Sequence, residues 1–222
     1  MLRLSAFAGL VIGLLGSQPA LAQQPALYTV SYIEVGPVLT RIAATALRTY
    51  RDGARKDAVS LEVFQRIDRQ NQFVVLGAWT DAQAFETHSA SDNAKKLSEK
   101  LATMLASPTD TRRHSALSVA PAKTAKDQAF VITHVDVIPP EKDNAANALE
   151  QLADGSRRHS GNLQFDVWRQ EGRPNHFTVI EAWTNGGSFD VHEMQKETRE
   201  FRMRLGPMLG ALYDERLYKV MP

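Results

Sequence analysis

An internal repeat constrains the fold of this chain more than any other feature of its sequence. The segment Asn71–Thr80 (NQFVVLGAWT) returns 104 positions later as Asn175–Thr184 (NHFTVIEAWT). The same offset carries His88 onto His192, so the correspondence continues beyond the repeated segment itself. A repeat of this length indicates that the chain holds two copies of one small domain.

The spacing between the two copies changes by two residues upstream of that segment. There an offset of 102 aligns Tyr32 with His134. The change predicts a two-residue insertion in the second copy, close to its second strand, around Gly161 or Gly172.

Each copy is predicted to contain strands and helices in the order β-α-β-β-α-β, the order of a ferredoxin-like domain. In the first copy, apolar patterning predicts strands at Leu27–Val35, Ser60–Ile67, Gln72–Trp79 and Arg113–Val119, and helices at Val38–Arg51 and Asp81–Leu105. In the second copy it predicts strands at Phe130–Val137, Leu163–Arg169, His176–Trp183 and Asp214–Val220, and helices at Lys142–Ala153 and Ser188–Leu209. We therefore assign the repeats to residues 27–120 and 129–222, joined by a polar linker at 121–128.

One copy alone would leave an apolar sheet face in water. The helices would cover one face of its sheet, whereas the other face is predicted to carry Val30, Phe64, Val75 and Leu117. Two copies can bury these faces against each other. The predicted fold is therefore α+β, with the two repeats packed as a dimeric α/β barrel within one chain.

The first 22 residues are typical of a secretory signal peptide. Arg3 supplies a basic start, residues 6–16 are apolar, and Ala20-Leu21-Ala22 has the small residues of a cleavage site. We expect cleavage after Ala22 and a periplasmic or secreted protein. Because the chain has no cysteine, it can use neither disulfides nor thiolate chemistry.

The charge balance gives no indication of a nucleic-acid or membrane partner. The 26 basic residues include Arg3, so removal of the signal peptide leaves as many basic as acidic residues, of which there are 25. The clusters Arg112-Arg113-His114 and Arg157-Arg158-His159 are interpreted as solvated loop charge. We expect no nucleic-acid binding, and no membrane association after cleavage.

The second copy carries the motif FxVxEAWTx4FxxH over residues 177–192. This motif resembles the central segment of the antibiotic biosynthesis monooxygenase domain, a family of dimeric α+β barrels built from ferredoxin-like subunits. Members of that family include cofactor-independent oxygenases of quinols and polycyclic phenols, haem-degrading monooxygenases, and proteins without known activity. The resemblance covers both copies, although outside this segment it is mainly one of pattern.

The resemblance implies a pocket between each sheet and its helices. In the oxygenases of the family, a phenol or hydroquinone loses a proton and its anion passes an electron to dioxygen, so neither metal nor flavin is needed. The protein then has to supply a base, a cavity that excludes water, and donors that stabilise the anion. The expected ligand is a small aromatic molecule, and no cofactor is expected.

Glu181, Trp183 and His192 are the candidate catalytic residues. Glu181 and Trp183 are two positions apart on a strand and share a face, and His192 follows on the next helix. Glu181 or His192 would act as the base, and Trp183 would shape the pocket and donate to the substrate oxygen. The alternative interpretation is that Trp183 and His192 only pack in the core and that Glu181 forms an ion pair.

Five further residues are candidates for substrate binding. Trp79 and His88 occupy the aligned positions of the first copy, where Gly77 replaces the carboxylate. That glycine marks either a degenerate copy or added room for a ligand. The other three lie on the first or the last strand of a copy: Tyr32, His134 beside Asp136, and Tyr218. Each of the three is equally interpretable as a packing residue of the sheet.

The histidine spacing does not predict a metal site. The six histidines form no HxH or HExxH motif. Haem is the one cofactor left open, because a single helix histidine such as His88 or His192 can ligate it. The preferred function is an exported, cofactor-independent oxidation of a small phenol or quinol. The alternatives are a non-catalytic module that binds haem or an apolar aromatic ligand, and a structural role with a possible homodimer.

Overall fold

The computed structural model of the chain describes residues 25–126 and 128–221. The predicted signal peptide therefore lies outside the described residues. Within the two described ranges, no helix is long and apolar enough to cross a membrane.

The described chain is an α+β fold in which the two copies have the same succession of elements. The first copy consists of β1 (Leu27–Glu34), α1 (Thr40–Ala54), β2 (Ser60–Arg66), β3 (Gln72–Trp79), α2 (Ala82–Ser89), α3 (Asp92–Ala102) and β4 (Asp110–Ser118). The second consists of β5 (Ala129–Asp136), α4 (Lys142–Ser156), β6 (Asn162–Gln170), β7 (His176–Trp183), α5 (Gly186–Glu193), α6 (Lys196–Leu205) and β8 (Asp214–Val220). Short 3-10 turns precede α1 and α4 and follow α6, at Pro37–Leu39, Pro139–Glu141 and Gly206–Met208.

The helices differ from the sequence prediction in two respects. The second predicted helix of each copy is divided into two helices, because the chain leaves helical geometry at Ser91 and again at Gln195. Ser91 caps the new helix, since its hydroxyl accepts a hydrogen bond from the backbone N–H of Ala94 at 3.2 Å. The first helix continues to Ala54 and does not end at Arg51, so the predicted end of this helix was wrong.

The eight strands form one closed barrel in the order β1-β3-β2-β8-β5-β7-β6-β4. Each copy supplies a four-stranded antiparallel sheet, and the sheets join where β2 pairs with β8 and where β4 pairs with β6. Closure satisfies the edge strands of both sheets within one chain. A homodimer of this protein would therefore have to form through its outer surface rather than by strand pairing.

The protein has three hydrophobic cores, one inside the barrel and two between the barrel and the helices that pack on its outer surface. The interior core mixes residues of both copies, among them Val30, Phe64, Phe130 and Ile180. Each outer core lies between one sheet and its own helices. This arrangement agrees with the predicted intrachain dimeric α/β barrel.

Two residues assigned to the interior face lie elsewhere. Val75 packs in the outer core of the first copy, because its neighbours Val74 and Leu76 point inward and side chains alternate along β3. Leu117 packs against the outer core of the second copy. It lies at a β-bulge between Ala116 and Ser118, which shifts the register of the strand beyond it.

The strand register places the two-residue insertion at Gly161. Leu61 pairs with Gly77 in the first copy and Phe165 pairs with Glu181 in the second, so the offset is already 104 at these positions. The extra residues therefore precede them, where β6 is irregular between Asn162 and Gln164. Gly161 has a left-handed φ of +81°, and a Cβ there would come within 2.6 Å of the Ser188 side chain, so glycine is required.

Candidate functional site

Local structure brings Glu181, Trp183 and His192 together in the outer core of the second copy. Alternation along β7 directs Glu181 and Trp183 toward the helices, while Ala182 between them faces the barrel interior. Asn185 caps α5 by accepting a hydrogen bond from the N–H of Ser188 at 2.9 Å. The helix begins there, so His192 in its last turn lies over the end of β7.

The three side chains are in mutual contact and almost fully buried. Trp183 Nε1 donates a hydrogen bond to Glu181 Oε2 at 3.0 Å. The His192 ring stacks on the Trp183 indole with centroids 4.6 Å apart, and its Nε2 lies 3.8 Å from Glu181 Oε2. None of the three is more than 3% exposed. The resemblance implied an open pocket here, and closely packed side chains occupy the position instead.

Burial makes the neutral forms of Glu181 and His192 the stable ones. Desolvation raises the pKa of Glu181 to about 8, even though the hydrogen bond from Trp183 opposes the shift. Desolvation, followed by the proximity of His159, lowers the pKa of His192 to about 4. Near neutral pH the site therefore contains a protonated carboxyl group beside an uncharged imidazole.

A chain of hydrogen bonds leads from His192 to the surface. His192 Nδ1 lies 2.9 Å from His159 Nδ1, and His159 Nε2 lies 2.7 Å from Glu197 Oε1. The side chain of His159 is 11% exposed and that of Glu197 is 53% exposed. Only the last member of the chain is therefore well solvated.

The same hydrogen bonds assign the tautomers of both histidines. A carboxylate accepts, so His159 carries its proton on Nε2 and its Nδ1 is an acceptor. His192 then donates from Nδ1. The remaining nitrogen of His192, Nε2, has a free lone pair directed toward the Glu181 side of the site. This nitrogen is the one basic atom of the trio that can accept a proton without first losing one.

A charged cluster borders the trio on the side of β8. Arg202 Nη2 donates to Glu193 Oε2 at 2.5 Å and to Glu215 Oε2 at 2.6 Å. The guanidinium group lies 4.7 Å from the ring centroid of Tyr213. Burial, then the proximity of Glu181, raises the pKa of Tyr213 above its ordinary value, so this phenol stays protonated.

The first copy keeps the tryptophan and the histidine but connects them differently. Trp79 Nε1 donates to Thr29 Oγ1 at 3.0 Å, whereas His88 contacts the Tyr50 hydroxyl at 2.6 Å and Asp57 at 3.3 Å. The space at Gly77 is filled by the indole of Trp79, since a Cβ at Gly77 would come within 2.7 Å of Nε1. On its helix-facing side Gly77 therefore leaves no room for a ligand, and this aligned site lacks a carboxylate next to the tryptophan.

The three remaining predicted residues lie on strands away from the trio. Tyr32 is flanked by the guanidinium groups of Arg112 and Arg216, at 5.0 and 5.7 Å from its ring centroid. His134 Nε2 lies 3.3 Å from His176 Nδ1. Tyr218 is 1% exposed in the interior core. They do not join Glu181, Trp183 and His192 in one site.

Asp136, which lies two residues from His134 on β5, contacts a different histidine. Asp136 Oδ1 lies 3.4 Å from His176 Nε2, so His176 is the histidine beside this carboxylate. His134 loses basicity by burial and by the proximity of Arg112, which lower its pKa to about 4.

A cavity of about 920 Å³ opens at one end of the barrel and extends from its interior to Arg51 and Arg55 near the end of α1. None of the eight predicted site residues lines it. Its walls include aromatic residues of both copies, inward-facing alanines and part of the linker: Tyr28, Phe64, Ala78, Phe130, Gln164, Asp166, Trp168, Ala182 and residues 119–124. Sequence patterning alone could not find this cavity, because its walls are inward-facing positions of strands that are far apart in the chain.

Sequence reasoning also missed His159 and Glu197. The interpretation of Arg157-Arg158-His159 as solvated loop charge was wrong for His159, which contacts His192. The repeat contained a signal for it, since the offset of 102 carries Asp57 onto His159, and each contacts the helix histidine of its own copy. Within the part of the chain that the structure describes, no three His, Asp or Glu side chains converge closely enough to hold a metal ion.

The raised pKa of Glu181 predicts a pH-dependent stability. Its folded-state pKa of about 8 exceeds the ordinary 4.5, so the folded chain holds more protons between these values and stability falls as pH rises through this window. His192, with a folded pKa of about 4 against 6.5, acts in the opposite direction and only below 6.5. From pH 6.5 to 8 the wild type is expected to lose up to about 1.4 kcal/mol per pH unit relative to Glu181→Gln.

Urea unfolding at a series of pH values measures this difference. The exposed substitution Glu99→Gln is the control and should follow the wild type. A constant difference between wild type and Glu181→Gln across the pH series would contradict the burial argument.

Two ferredoxin-like repeats that share one closed barrel make this protein a single-chain form of the dimeric α/β barrel. The chain belongs to the antibiotic biosynthesis monooxygenase family, whose model matches residues 54–100 and 129–204, together more than half of its length. The second matched range contains the whole of β7 and α5. The comparison therefore includes all three residues of the trio.

One curated protein resembles the chain in sequence, and two solved structures resemble it in fold. The Bacillus subtilis protein named "Putative monooxygenase YcnE" is 24% identical over 81 residues, which are 36% of this chain and 85% of that protein. A "Putative monooxygenase" structure from Fusobacterium nucleatum superposes with a TM-score of 0.77 at 14% identity, covering 90% of this chain and 94% of the other. An anthrone oxidase-like protein superposes with a TM-score of 0.70 at 13% identity, covering 90% and 92%. The two structural likenesses concern the fold alone.

Proposed function

We propose that the protein is a cofactor-independent monooxygenase that oxidises a small phenol or quinol with dioxygen, using the trio of the second copy. Family membership supports the reaction class. The observation that carries the proposal is the free lone pair of His192 Nε2, next to a protonated carboxyl group and an indole in a site without bulk water. Such a site can take a proton from a phenol and hold the resulting anion away from water.

The proton balance assigns a role to each residue. His192 Nε2 accepts the phenolic proton, and the imidazolium passes the proton on Nδ1 to His159, which in turn releases one to Glu197 and the solvent. Glu181, kept protonated by burial, donates a hydrogen bond to the phenolate oxygen. Trp183 fixes Glu181 through its own N–H and stacks beneath His192, so the two groups keep their relative position.

The substrate supplies the electrons. Its anion gives one electron to dioxygen, and the two radicals recombine at a carbon that bears hydrogen. Loss of water then leaves one oxygen atom on that carbon as a carbonyl group, so the substrate provides both hydrogens and no external reductant is consumed. An electron-rich phenol with an adjacent CH2 group satisfies this balance, a chemistry that the name of the anthrone oxidase-like structure also suggests, and so does a quinol whose reacting ring carbon bears a hydrogen.

Burial of the trio has a consequence for the rate. Because all three side chains are at most 3% exposed, a substrate reaches His192 only after a local opening of the helices over β7. We expect each turnover to begin with this opening.

Dioxygen consumption by purified, metal-free protein tests the proposal. The panel consists of quinols and of polycyclic phenols with an activated CH2 group, and a reaction without protein subtracts autoxidation. Turnover that is lost in the Glu181→Ala/His192→Ala double variant would support the proposal. Uptake equal to autoxidation across the panel, with a folded protein, would argue against catalysis at this site.

Removal of His159 should slow proton release without removing the base. His159→Ala is expected to lower turnover about 10-fold, and added imidazole should restore most of it by occupying the space that the variant opens. The measurement is the rate of dioxygen consumption against imidazole concentration. His176→Ala is the matched control, because His176 is a partly buried histidine outside this chain of hydrogen bonds. A loss that imidazole does not restore would indicate a structural role for His159.

In the closed arrangement of the side chains, neither candidate histidine offers haem an open coordination position. An axial bond needs a free ring nitrogen facing an open space. His88 has partners at both nitrogens, Tyr50 and Asp57. His192 has His159 at one nitrogen and Glu181 at 3.8 Å from the other, and neither histidine lines the barrel cavity. Addition of hemin is therefore expected to give no Soret band that depends on His88 or His192.

Export stays a prediction from the first 22 residues. We propose that the protein acts in the periplasm or outside the cell, which fits a chain that has no cysteine to form disulfides or to be oxidised. The N-terminal residue of the exported form would be Gln23.

A further inference from the structure

The cavity inside the barrel has the size of a ligand site and no assigned role. Its volume of about 920 Å³ falls within the range of roughly 300–1,000 Å³ that is usual for small-molecule sites. Alanine at the inward position before each repeated tryptophan, Ala78 and Ala182, leaves this space open in both copies. It is a second site, because Ala182 faces the cavity while Glu181 and Trp183 face the helices on the other side of β7.

The walls of the cavity are aromatic. Tyr28 and Trp168 have ring centroids 4.6 Å apart, and Phe64 and Phe130 have centroids 4.9 Å apart. Each pair joins a residue of the first copy to one of the second, so each lies at one of the two seams where the copies meet. Aromatic faces on more than one side favour a flat ring system over a flexible aliphatic chain.

The walls also carry polar and charged side chains, among them Arg51, Arg55, Glu62, Gln164 and Asp166. Asp166 is 5% exposed, and its carboxylate accepts hydrogen bonds from Gln164 Nε2 at 2.7 Å and from the N–H of Ala120 at 3.2 Å. Trp168 is 4% exposed, and its Nε1 has no hydrogen-bond partner among the residues that the structure describes. A buried N–H without an acceptor is unfavourable, so an oxygen atom of a ligand at this position would satisfy it.

The linker between the copies covers the cavity. Residues 119–124 form part of its wall. Two hydrogen bonds attach the linker to β6, from the N–H of Ala120 to Asp166 and from the N–H of Lys123 to the carbonyl of Leu163 at 2.9 Å. Asp166 therefore both binds this segment and lines the cavity.

We propose that the barrel interior binds a planar aromatic molecule with oxygen substituents, held between the aromatic pairs and hydrogen-bonded by Trp168 and the Asp166–Gln164 pair. The site is independent of the proposed oxidation, because it shares no side chain with the trio. It can hold a ligand whether or not the protein is an enzyme.

Binding of 1,8-dihydroxyanthraquinone, a flat three-ring probe, tests the proposal with the full chain as cells process it. Quenching of tryptophan fluorescence and isothermal titration should both give saturable binding of one molecule per chain. Ala78→Phe, which fills the cavity, is expected to weaken binding at least 10-fold. Trp168→Phe keeps the ring but removes the N–H, and it should weaken binding about 10-fold, which corresponds to about 1.4 kcal/mol.

Two control variants separate this site from the trio. Ala82→Phe makes the same substitution at an exposed position and should bind as the wild type does. His192→Asn should bind the probe unchanged, even if it consumes no dioxygen. If Ala78→Phe fails to fold, Trp168→Phe still decides the question. No binding by the wild type, wild-type affinity in folded Ala78→Phe or Trp168→Phe, or loss of binding in His192→Asn would overturn the proposal.

Discussion

Replacement of His192 by asparagine is expected to lower kcat/KM for dioxygen consumption by about 10²- to 10³-fold. A positioned general base contributes roughly 10²- to 10⁴-fold, and His192 Nε2 is the one basic atom of the trio with a free lone pair. Asparagine can keep a hydrogen bond to His159 but cannot accept a proton. Glu181, whose pKa is raised to about 8, is mostly protonated at pH 7 and cannot replace the base there.

Two control variants show whether the loss is specific. His176→Asn removes a partly buried histidine outside the site and should leave kcat/KM within about 2-fold of the wild type. His88→Asn makes the same change in the first copy, so its effect measures how much that copy contributes. Equal losses in His192→Asn and His88→Asn would contradict a single working copy, and an unchanged rate in His192→Asn would remove His192 from the mechanism.

The pH profile distinguishes His192 from Glu181 as the base. If His192 accepts the proton, kcat/KM should already be on its plateau at pH 6, because the pKa of His192 is lowered to about 4 by burial. If Glu181 accepts it, kcat/KM should rise up to about pH 8, where that carboxyl group ionises. Glu181→Gln removes the second possibility and should keep the flat profile if His192 is the base.

The sequence was sufficient to predict the fold because the repeat restricts it so strongly. Two copies of one β-α-β-β-α-β pattern, each with an apolar second sheet face, have few ways to bury that face. The barrel in which β2 pairs with β8 and β4 with β6 is the arrangement that does so. Details set by single side chains were not predictable, such as the helix break that Ser91 caps and the bulge that redirects Leu117.

Only those parts of the candidate site that depend on one strand and the helix after it could be predicted from the sequence. Alternation on β7 placed Glu181 and Trp183 on one face, and the helix after it brought His192 over them. The contact with His159 depends on how α4 ends beside α5, which no local pattern records. The barrel cavity depends on the separation of facing strands, so a sequence that predicts the barrel does not predict the empty space within it.

The two copies have diverged at one pair of facing residues. Thr29 pairs with Gly77 across β1 and β3, and Val131 pairs with Glu181 across β5 and β7. In each copy the tryptophan N–H has one acceptor, which is the threonine in the first and the glutamate in the second. The acceptor therefore lies on the first strand of the first copy and on the third strand of the second copy, so the first copy has no carboxylate here and its indole N–H is still satisfied.

This difference between the copies predicts that Gly77→Glu lowers the stability strongly and that a second substitution restores part of it. A Cβ at residue 77 would lie 2.6 Å from Thr29 Oγ1 and 2.7 Å from Trp79 Nε1, so the indole has to move and its hydrogen bond to Thr29 breaks. Overpacking and a buried carboxyl group together should cost about 3 kcal/mol or more in urea unfolding. Gly206→Glu is the control and should change stability by less than about 0.5 kcal/mol, because nothing lies within 4 Å of a Cβ at that position.

The double variant Gly77→Glu/Thr29→Val restores the pair found in the second copy. The new carboxyl group can then accept the Trp79 N–H, as Glu181 accepts that of Trp183, and valine lacks the hydroxyl group that would compete for it. We expect the double variant to be more stable than the sum of the single effects predicts, by about 1–3 kcal/mol. Additive losses would show that the backbone around Gly77, rather than the choice of acceptor, excludes the carboxylate from the first copy. A favourable coupling, by contrast, would show that one residue pair decides whether a copy has the indole–carboxyl arrangement. The rings of the tryptophan and the histidine already lie at similar distances in the two copies, with centroids 4.8 Å apart in the first and 4.6 Å apart in the second.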